Sequence, residues 1–137
     1  RYTSYPTADR MVEAFGAEDL RGWLGRRDLG GRGNALGLYV HLPFCQALCY
    51  YCACNKIITR KHSLATEYLD YLEREAKLYR DVLGARVPVD QLHLGGGTPT
   101  FLSDDELARL GDMLDTHFDL SMLEERSIEV DPRTVDA

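Results

Sequence analysis

The chain has 137 residues, of which 45% are hydrophobic and 28% are charged, and its formal net charge at pH 7 is −6. That length can bury the core of one domain, and the composition excludes a low-complexity or disordered chain. The acidic balance argues against general nucleic-acid binding, and the uncharged runs are too short for a membrane span.

Residues 1–34 are predicted to form an N-terminal arm followed by short helices. Arg1–Ala8 is polar and aromatic and contains a proline, so we expect an irregular or extended segment. One short helix is predicted after Asp9 and a further helical turn near Ala17. Their apolar residues are Met11, Val12, Phe15, Leu20, Trp23 and Leu24. A flexible break is then predicted at Gly30, Gly31 and Gly33.

Alternating aliphatic residues predict the first strand at Ala35–Leu42. The opposite face of this strand presents Tyr39 and His41. Pro43 ends the strand because proline cannot donate to a sheet ladder. Parallel α/β folds place their chemistry at the carboxyl ends of strands, so the residues that follow are candidates for a functional site.

All four cysteines follow directly, at Cys45, Cys49, Cys52 and Cys54. The first three have the spacing Cys-x-x-x-Cys-x-x-Cys, which can hold three irons of a 4Fe-4S cluster and leave the fourth iron open. Zinc sites more often use two separated cysteine pairs, and disulfides suit secreted proteins. We therefore favour an iron–sulfur cluster over zinc or a disulfide. The spacing leaves open whether Cys54 is a fourth ligand.

A long helix is predicted next, with Ser63 as its N-cap, an end at Val82 or Leu83, and Gly84 as its stop. Its predicted apolar stripe is Leu64, Tyr68, Tyr71, Leu72, Ala76, Tyr79 and Val82. The residues before it include a basic cluster that is either a solvated surface or an attraction for an anionic substrate. This cluster is Lys56, Arg60 and Lys61.

The second predicted strand, Val89–Leu94, begins after Pro88 and runs into the glycine loop Gly95–Thr100. The loop matches neither the Walker motif nor the dinucleotide-binding motif. Consecutive glycines let a ligand approach the backbone closely, so we favour ligand contact over a simple tight turn.

A capping box of Ser103 and Glu106 predicts the next helix. Its apolar residues are Leu107, Leu110, Met113, Leu114 and Phe118. The third strand is predicted at Ser127–Val130, where Glu129 could hold ribose hydroxyls. The order strand, helix, strand, helix, strand predicts an α/β fold with a parallel sheet. The cysteine loop, the glycine loop and Glu129 would then share one rim.

These motifs resemble the radical S-adenosylmethionine enzymes in the cysteine spacing, in Tyr51 before the last cysteine of the motif, and in the glycine loop. A narrower resemblance, to the oxygen-independent coproporphyrinogen III oxidase family, lies in Arg1–Ala8, Tyr39–Cys45, Cys52–Arg60 and Ser127–Arg133. Ala53 departs from the glycine that the family often has. The resemblance implies that residues 35–137 are the first βαβαβ portion of an incomplete (β/α) barrel, and we expect the chain to be a fragment.

The resemblance also implies the site residues. A 4Fe-4S cluster would be held by Cys45, Cys49 and Cys52, with Cys54 nearby but not a ligand and no further catalytic residue assigned. One S-adenosyl-L-methionine would contact Tyr39, Gly96 and Glu129, with the glutamate on its ribose. A second one would contact Tyr51, Gly97 and Thr98. The N-terminal arm would shield the site.

The implied function is the oxygen-independent oxidative decarboxylation of coproporphyrinogen III to protoporphyrinogen IX by a 5′-deoxyadenosyl radical, in haem biosynthesis. We expect a cytoplasmic monomer that receives electrons from a donor such as flavodoxin or ferredoxin and binds neither nucleic acid nor membrane. A haem chaperone of the same superfamily and a zinc-stabilised structural module are the alternatives. We expect no turnover from these residues alone.

Overall fold

The computed structural model describes residues 7–26, 35–84 and 86–133. The strands are β1 (Leu36–Leu42), β2 (Phe44–Cys45), β3 (Ile57–Ile58), β4 (Val87–Gly96), β5 (Phe118–Asp119) and β6 (Glu125–Ile128). The helices are α1 (Ala17–Leu24), α2 (Ser63–Leu83) and α3 (Asp104–His117), with 3-10 turns at Ala8–Arg10 and Pro99–Phe101. The predicted alternation of strand and helix is confirmed.

The main sheet is built around β4 and all of its pairs are parallel. β1 pairs along one edge of β4, while the short β5 and β6 pair with its other edge. A second, two-stranded parallel sheet joins β2 to β3. The predicted parallel α/β arrangement is therefore present, and the short β2–β3 pair is an addition that the sequence pattern did not reveal.

The hydrophobic core lies between one face of the main sheet and the helices α2 and α3. It includes Val40, Leu42 and Val89 from the strands, Ala65, Leu69 and Ala76 from α2, and Leu110, Met113 and Leu114 from α3. The alternation predicted for β1 is confirmed, because Val40 and Leu42 are buried while Tyr39 is 56% exposed. Burying side chains of this size is worth about 1.5–3 kcal/mol each, so this face fixes how the sheet sits on the helices.

The predicted details of α2 are partly wrong. Its N-cap is His62, whose side chain makes no capping hydrogen bond, and Ser63 is the first residue of the helix. Of the predicted stripe, Ala76 is buried and Tyr68, Leu72 and Tyr79 pack partly buried against the core, whereas Leu64 and Tyr71 are exposed. Ala65 and Leu69, which the stripe omitted, are also buried. The predicted stop is confirmed, since Gly84 has φ +93° and its N–H bonds to the carbonyl of Arg80.

Other element boundaries also differ from the predictions. The helix expected after Asp9 is only the 3-10 turn at Ala8–Arg10, whereas the helix near Ala17 is present as α1. Phe118 ends α3 and opens β5 instead of lying inside the helix. The second strand is longer than Val89–Leu94, and the third ends at Ile128, one residue before Glu129.

Several predictions fall on residues whose structure is not described. Residues 1–6 of the arm and the glycine break at Gly30, Gly31 and Gly33 lie outside the described ranges. The division into residues 1–34 and 35–137 therefore stays a prediction. Of the helices in the described ranges, none is both long and apolar enough to span a membrane.

The capping box at the start of α3 is present and also ties α3 to α2. Glu106 accepts hydrogen bonds from the Ser103 N–H at 3.0 Å and from the Thr66 hydroxyl of α2 at 3.1 Å. Burial acts to raise the pKa of Glu106, but these hydrogen bonds outweigh it and the net effect is a lowered pKa. The charged carboxylate is thus favoured by the folded chain.

We expect the substitution Glu106→Gln to lower the free energy of unfolding by roughly 0.5–1 kcal/mol at pH 7, because charge-assisted hydrogen bonds become neutral ones. A lowered folded pKa stabilises the fold above the ordinary value of 4.5 and loses that contribution as the pH falls through the folded pKa. The difference between the two proteins should therefore shrink below about pH 4.5. Urea unfolding at a series of pH values measures it.

The exposed Glu67 of α2, whose side chain makes no hydrogen bond within the described ranges, provides the matched control Glu67→Gln. Its unfolding free energy should follow that of the unsubstituted chain at every pH. A pH-independent loss in Glu106→Gln would contradict the assigned role of the charge.

Candidate functional site at the carboxyl edge of the sheet

Alternate residues of β1, β4 and the end of β6 form two rows on the face of the sheet opposite the core. The first row consists of Tyr39, His93 and Ser127, which lie opposite one another in the strand register. The second row consists of His41 and Gly95, which are register partners, and Glu129, whose N–H bonds to the carbonyl of Leu94 at 2.9 Å. The period of two residues in a strand gives all six the same side of the sheet.

The Glu129 carboxylate is held by two donors of β4. Its Oε2 accepts the Gly96 N–H at 3.0 Å, and its Oε1 is 3.4 Å from His93 Nε2. His93 Nδ1 is in turn 2.7 Å from the Ser127 hydroxyl. The Tyr39 ring stacks on the His93 ring with centroids 5.5 Å apart. An acidic group, a phenol and an imidazole thus meet at one place on the sheet.

Gly95 makes this meeting possible. A Cβ atom at Gly95 would lie 2.9 Å from both His93 Nε2 and Tyr39 Cε2, and 3.1 Å from Glu129 Cδ. Real Cβ atoms essentially never come within 3.0 Å of another heavy atom, so a side chain at this position would push His93 and Tyr39 aside and crowd Glu129.

His41 orients the Tyr39 hydroxyl. Its Nε2 is 2.9 Å from the Asn55 carbonyl, which can only accept, so Nε2 carries the proton. Nδ1 is left to accept the Tyr39 hydroxyl at 3.1 Å. Burial raises the pKa of Tyr39, and the negative charges of Glu129 and Cys54 raise it further, so the hydroxyl stays protonated and able to donate.

Backbone hydrogen bonds clamp the two ends of the cysteine loop. The Ile57 N–H donates to the Pro43 carbonyl at 2.7 Å, and the Thr59 N–H donates to the Cys45 carbonyl at 2.9 Å. Cys45 itself is buried, and the Thr98 hydroxyl donates to its Sγ at 3.6 Å. The first cysteine is therefore part of the folded framework, whereas the later ones lie on the loop.

The glycine loop packs directly on the residues that open the cysteine loop. The Gly97 N–H donates to the Leu42 carbonyl, and the Thr98 N–H donates to the Phe44 carbonyl, both at 2.8 Å. A Cβ at Gly97 would lie within 2.7–2.8 Å of the Pro43 and Phe44 backbone. Gly96 has φ +116°, a conformation that favours glycine. These glycines are thus required by the chain's own packing, and their contact with a ligand stays a prediction.

The three cysteines of the motif line one cavity of about 670 Å³. The cavity is also lined by Tyr51, Lys56, Gly97, Thr98 and Glu129. Within the described ranges, no three His, Cys, Asp or Glu side chains converge as ligands of a single ion. Thiolates of a 4Fe-4S cluster each bind a different iron and surround a volume, so three thiols around one cavity fit this group. Cys54 is exposed and does not line the cavity.

Cys52 and Cys54 differ in proton affinity. A hydrogen bond from the Cys54 backbone N–H is the main cause that lowers the pKa of the Cys52 thiol. The hydrogen bond to Cys52, and then its charge, raise the pKa of Cys54. Lys56 Nζ donates to the Cys52 carbonyl at 3.1 Å and to the Cys54 carbonyl at 3.4 Å, which holds this end of the loop in place. Metal binding requires the thiolate form, which Cys52 adopts more readily.

Other predicted site residues lie around this cavity without all lining it. Tyr51 lines it and is 93% exposed. Tyr39 and Gly96 do not line it, although Gly96 donates a hydrogen bond to Glu129, which does. In the predicted basic cluster, Lys56 is half-buried against the loop, whereas Arg60 and Lys61 are exposed. The cluster is therefore divided between a structural role and a solvated surface.

Two pairs of residues at the site carry no signal in the sequence motifs. The Arg133 guanidinium lies 3.5 Å from Cys49 Sγ and is held by Asp131, whose pKa its hydrogen bonds lower to about 2. His93 and Ser127 form the second pair, although alternation from Gly95 and Glu129 would have placed both on the same face.

Comparison with known proteins finds relatives that share one name. The chain is 47% identical to the oxygen-independent coproporphyrinogen III oxidase of Pseudomonas aeruginosa, over 99% of this chain and 30% of that protein. It is 48% identical to the Mannheimia haemolytica protein of the same name, over 96% of this chain and 87% of that sequence. No family model matches. The chain spans about 30% of the length of the first of these relatives.

A solved structure is also similar. Coproporphyrinogen III oxidase (HemN) from Escherichia coli, described as a radical SAM enzyme, superposes with a TM-score of 0.83 at 43% identity. The match covers 98% of this chain and 30% of the HemN chain. The described fold is accordingly the first βαβαβ portion of a radical-SAM-type barrel.

We expect Gly97→Ala to lower the free energy of unfolding by about 1–3 kcal/mol, because its Cβ would meet backbone that cannot move aside without breaking the clamp. The matched control is Gly111→Ala in α3, where a Cβ meets nothing within 4 Å. Alanine in a helix should stabilise that variant by roughly 0.5–1 kcal/mol. Urea unfolding of both variants measures the contrast. Equal stability of the two would contradict the packing role of Gly97.

Proposed function

The chain belongs to the oxygen-independent coproporphyrinogen III oxidase family, and from that membership we propose that it supplies the cofactor-binding part of a radical S-adenosylmethionine enzyme. The proposed reaction is the oxidative decarboxylation of coproporphyrinogen III to protoporphyrinogen IX without oxygen, in haem biosynthesis. Because the chain spans about 30% of its full-length relatives, the activity and the substrate are proposals for this chain.

One observation carries the proposal. Three thiols, the glycine loop and the Glu129 carboxylate border a single cavity at the carboxyl edge of a parallel sheet. Such an edge is where α/β folds bind their ligands. The thiols supply soft ligands for iron, the glycine loop brings Gly97 and Thr98 to the wall of the cavity, and the carboxylate accepts hydrogen bonds from hydroxyl groups. A structural zinc module would require only the first of these three features.

The proposed roles follow from these positions. Cys45, Cys49 and Cys52 hold a 4Fe-4S cluster, and Cys54 is not a ligand. One S-adenosyl-L-methionine binds against Tyr39, Gly96 and Glu129, with Glu129 on the ribose hydroxyls. A second one binds against Tyr51, Gly97 and Thr98. When bound, the cluster would supply an electron to S-adenosyl-L-methionine. The 5′-deoxyadenosyl radical derived from S-adenosyl-L-methionine would remove hydrogen from a substrate propionate.

The chain's own residues hold and orient these groups. The backbone clamp fixes Cys45, and Arg133 places a positive charge beside Cys49, where it offsets the charge of a thiolate. His41 directs the Tyr39 hydroxyl, and Gly96 directs one oxygen of Glu129. We also propose a one-electron donor such as flavodoxin or ferredoxin, a cytoplasmic location and a monomeric state.

The test is anaerobic reconstitution with iron and sulfide, followed by visible and EPR spectra with and without S-adenosyl-L-methionine. We expect Cys45→Ala, Cys49→Ala and Cys52→Ala each to lose the cluster, since each removes one of three ligands. The matched control Cys54→Ala should keep the cluster and the change in its EPR signal on addition of S-adenosyl-L-methionine.

Other results would separate the alternatives. A colourless protein that contains zinc would point to the structural module. Tight stoichiometric haem binding without decarboxylation would point to the haem chaperone. Loss of the cluster in Cys54→Ala alone would overturn the proposed ligand set.

We further expect the 137 residues by themselves to give no detectable decarboxylation, because full-length relatives contain more than three times as much chain in which substrate contacts can lie. An anaerobic assay with coproporphyrinogen III and a chemical reductant measures this. Vinyl product from these residues alone would show that the expectation is wrong.

A further inference from the structure

We propose that His93 is a positioning residue that orients the Glu129 carboxylate toward the ribose of S-adenosyl-L-methionine, with Ser127 fixing the proton on the imidazole. This rests on the proposed function, in which Glu129 holds the ribose hydroxyls. Nothing in the sequence motifs assigns a role to either His93 or Ser127.

The carboxylate needs a second donor to have one defined orientation. The terminal torsion of a glutamate side chain is broad, so a single hydrogen bond from Gly96 N–H fixes one oxygen and leaves the carboxylate plane free to rotate. Packing does not restrict it, because the Glu129 side chain is 51% exposed. His93 Nε2 at Oε1 is the second donor, and together the two donors define the plane.

Ser127 and Tyr39 hold the imidazole in place for this task. The carboxylate only accepts, so Nε2 must carry a proton, and in the neutral ring Nδ1 is then an acceptor. The Ser127 hydroxyl at 2.7 Å fills that acceptor with its own proton. The Tyr39 ring stacks on the face of the His93 ring at an interplanar angle of 15° and restricts the rotation of the imidazole.

The two contacts of the Glu129 carboxylate differ in length. The contact at 3.4 Å is longer than the 3.0 Å bond from Gly96, and longer than the about 2.7–3.2 Å of most N–H···O bonds. It is therefore the weaker of the two and depends on how the imidazole is held. Gly95 gives the space in which Nε2 and Glu129 Cδ approach, since a Cβ there would be 2.9 Å and 3.1 Å from them.

The experiment uses the reconstituted protein at its full natural length under anaerobic conditions. Calorimetric titration gives the dissociation constants of S-adenosyl-L-methionine and of its 2′,3′-dideoxyribose analogue. The dissociation constant of the analogue divided by that of S-adenosyl-L-methionine reports the contribution of the ribose hydroxyls to binding. His93→Phe keeps a ring against Tyr39 and removes both nitrogens. We expect it to lower the ratio by about tenfold, because a carboxylate that is free to rotate holds its hydrogen bonds to the ribose hydroxyls less well.

Partial rescue distinguishes positioning from a general structural role. His93→Gln restores an N–H donor and should recover part of the ratio, whereas Ser127→Ala should lower it in the same direction but less. Ser127→Ala leaves Tyr39, His93 and Glu129 unsubstituted and removes only the partner of Nδ1, so it tests the inference even if His93→Phe does not fold. The controls are His62→Phe, whose ring stacks on Phe101, and Ser121→Ala, and both should leave the ratio unchanged.

The outcomes separate the inference from the function it depends on. An unchanged ratio in both His93→Phe and Ser127→Ala would overturn the role of His93 while the binding of S-adenosyl-L-methionine stands. No binding of S-adenosyl-L-methionine by the unsubstituted protein would overturn the proposed function itself. A lower ratio with partial rescue by glutamine supports the inference.

Discussion

The parallel register of β1, β4 and β6 is the constraint on which the site depends. Tyr39, His93 and Ser127 come from distant parts of the chain and meet because their strands pair at those positions. A slip of one residue in either ladder would turn a whole strand over and send its polar residues into the core. The aliphatic face resists such a slip, since Val40 and Leu42 of β1 are buried against the helices and Leu92 and Leu94 of β4 pack on the same core. The packing of one face therefore fixes the chemistry of the other.

Much of this arrangement could be predicted from the sequence. Alternation in Leu36–Leu42 indicated which face Tyr39 and His41 occupy, and the capping box located the start of α3. The buried face of α2 was predicted only in part, since Ala76 was in the predicted stripe but Ala65 and Leu69 were not. A small side chain such as Ala65 carries little hydrophobic signal of its own, so its burial follows from the packing of the helix on the core.

The contacts between loops were the hardest part to predict. The approach of Gly97 to Pro43 and the pairing of β2 with β3 join segments whose sequences carry no periodic signal. Arg133 reaches Cys49 across 84 positions of sequence, and only the folded sheet brings them together. The cysteine spacing and the consecutive glycines identified the thiols and the glycine loop in the sequence. The supporting residues Arg133, Asp131, His93 and Ser127 could be located only in the structure.

The clamp at the two ends of the cysteine loop has a thermodynamic consequence. Backbone hydrogen bonds join Ile57 to Pro43 and Thr59 to Cys45, so the two ends of the loop are already held together before any ligand binds. The entropy of bringing distant chain ends together has been spent during folding of the sheet, and a bound group has to order only the interior of the loop. The exposed tyrosines of that loop can thus vary in conformation while the spacing of its ends stays constant. Affinity for a cluster would accordingly be linked to the stability of the sheet, so that a mutation in the core far from any thiol weakens binding by loosening the loop.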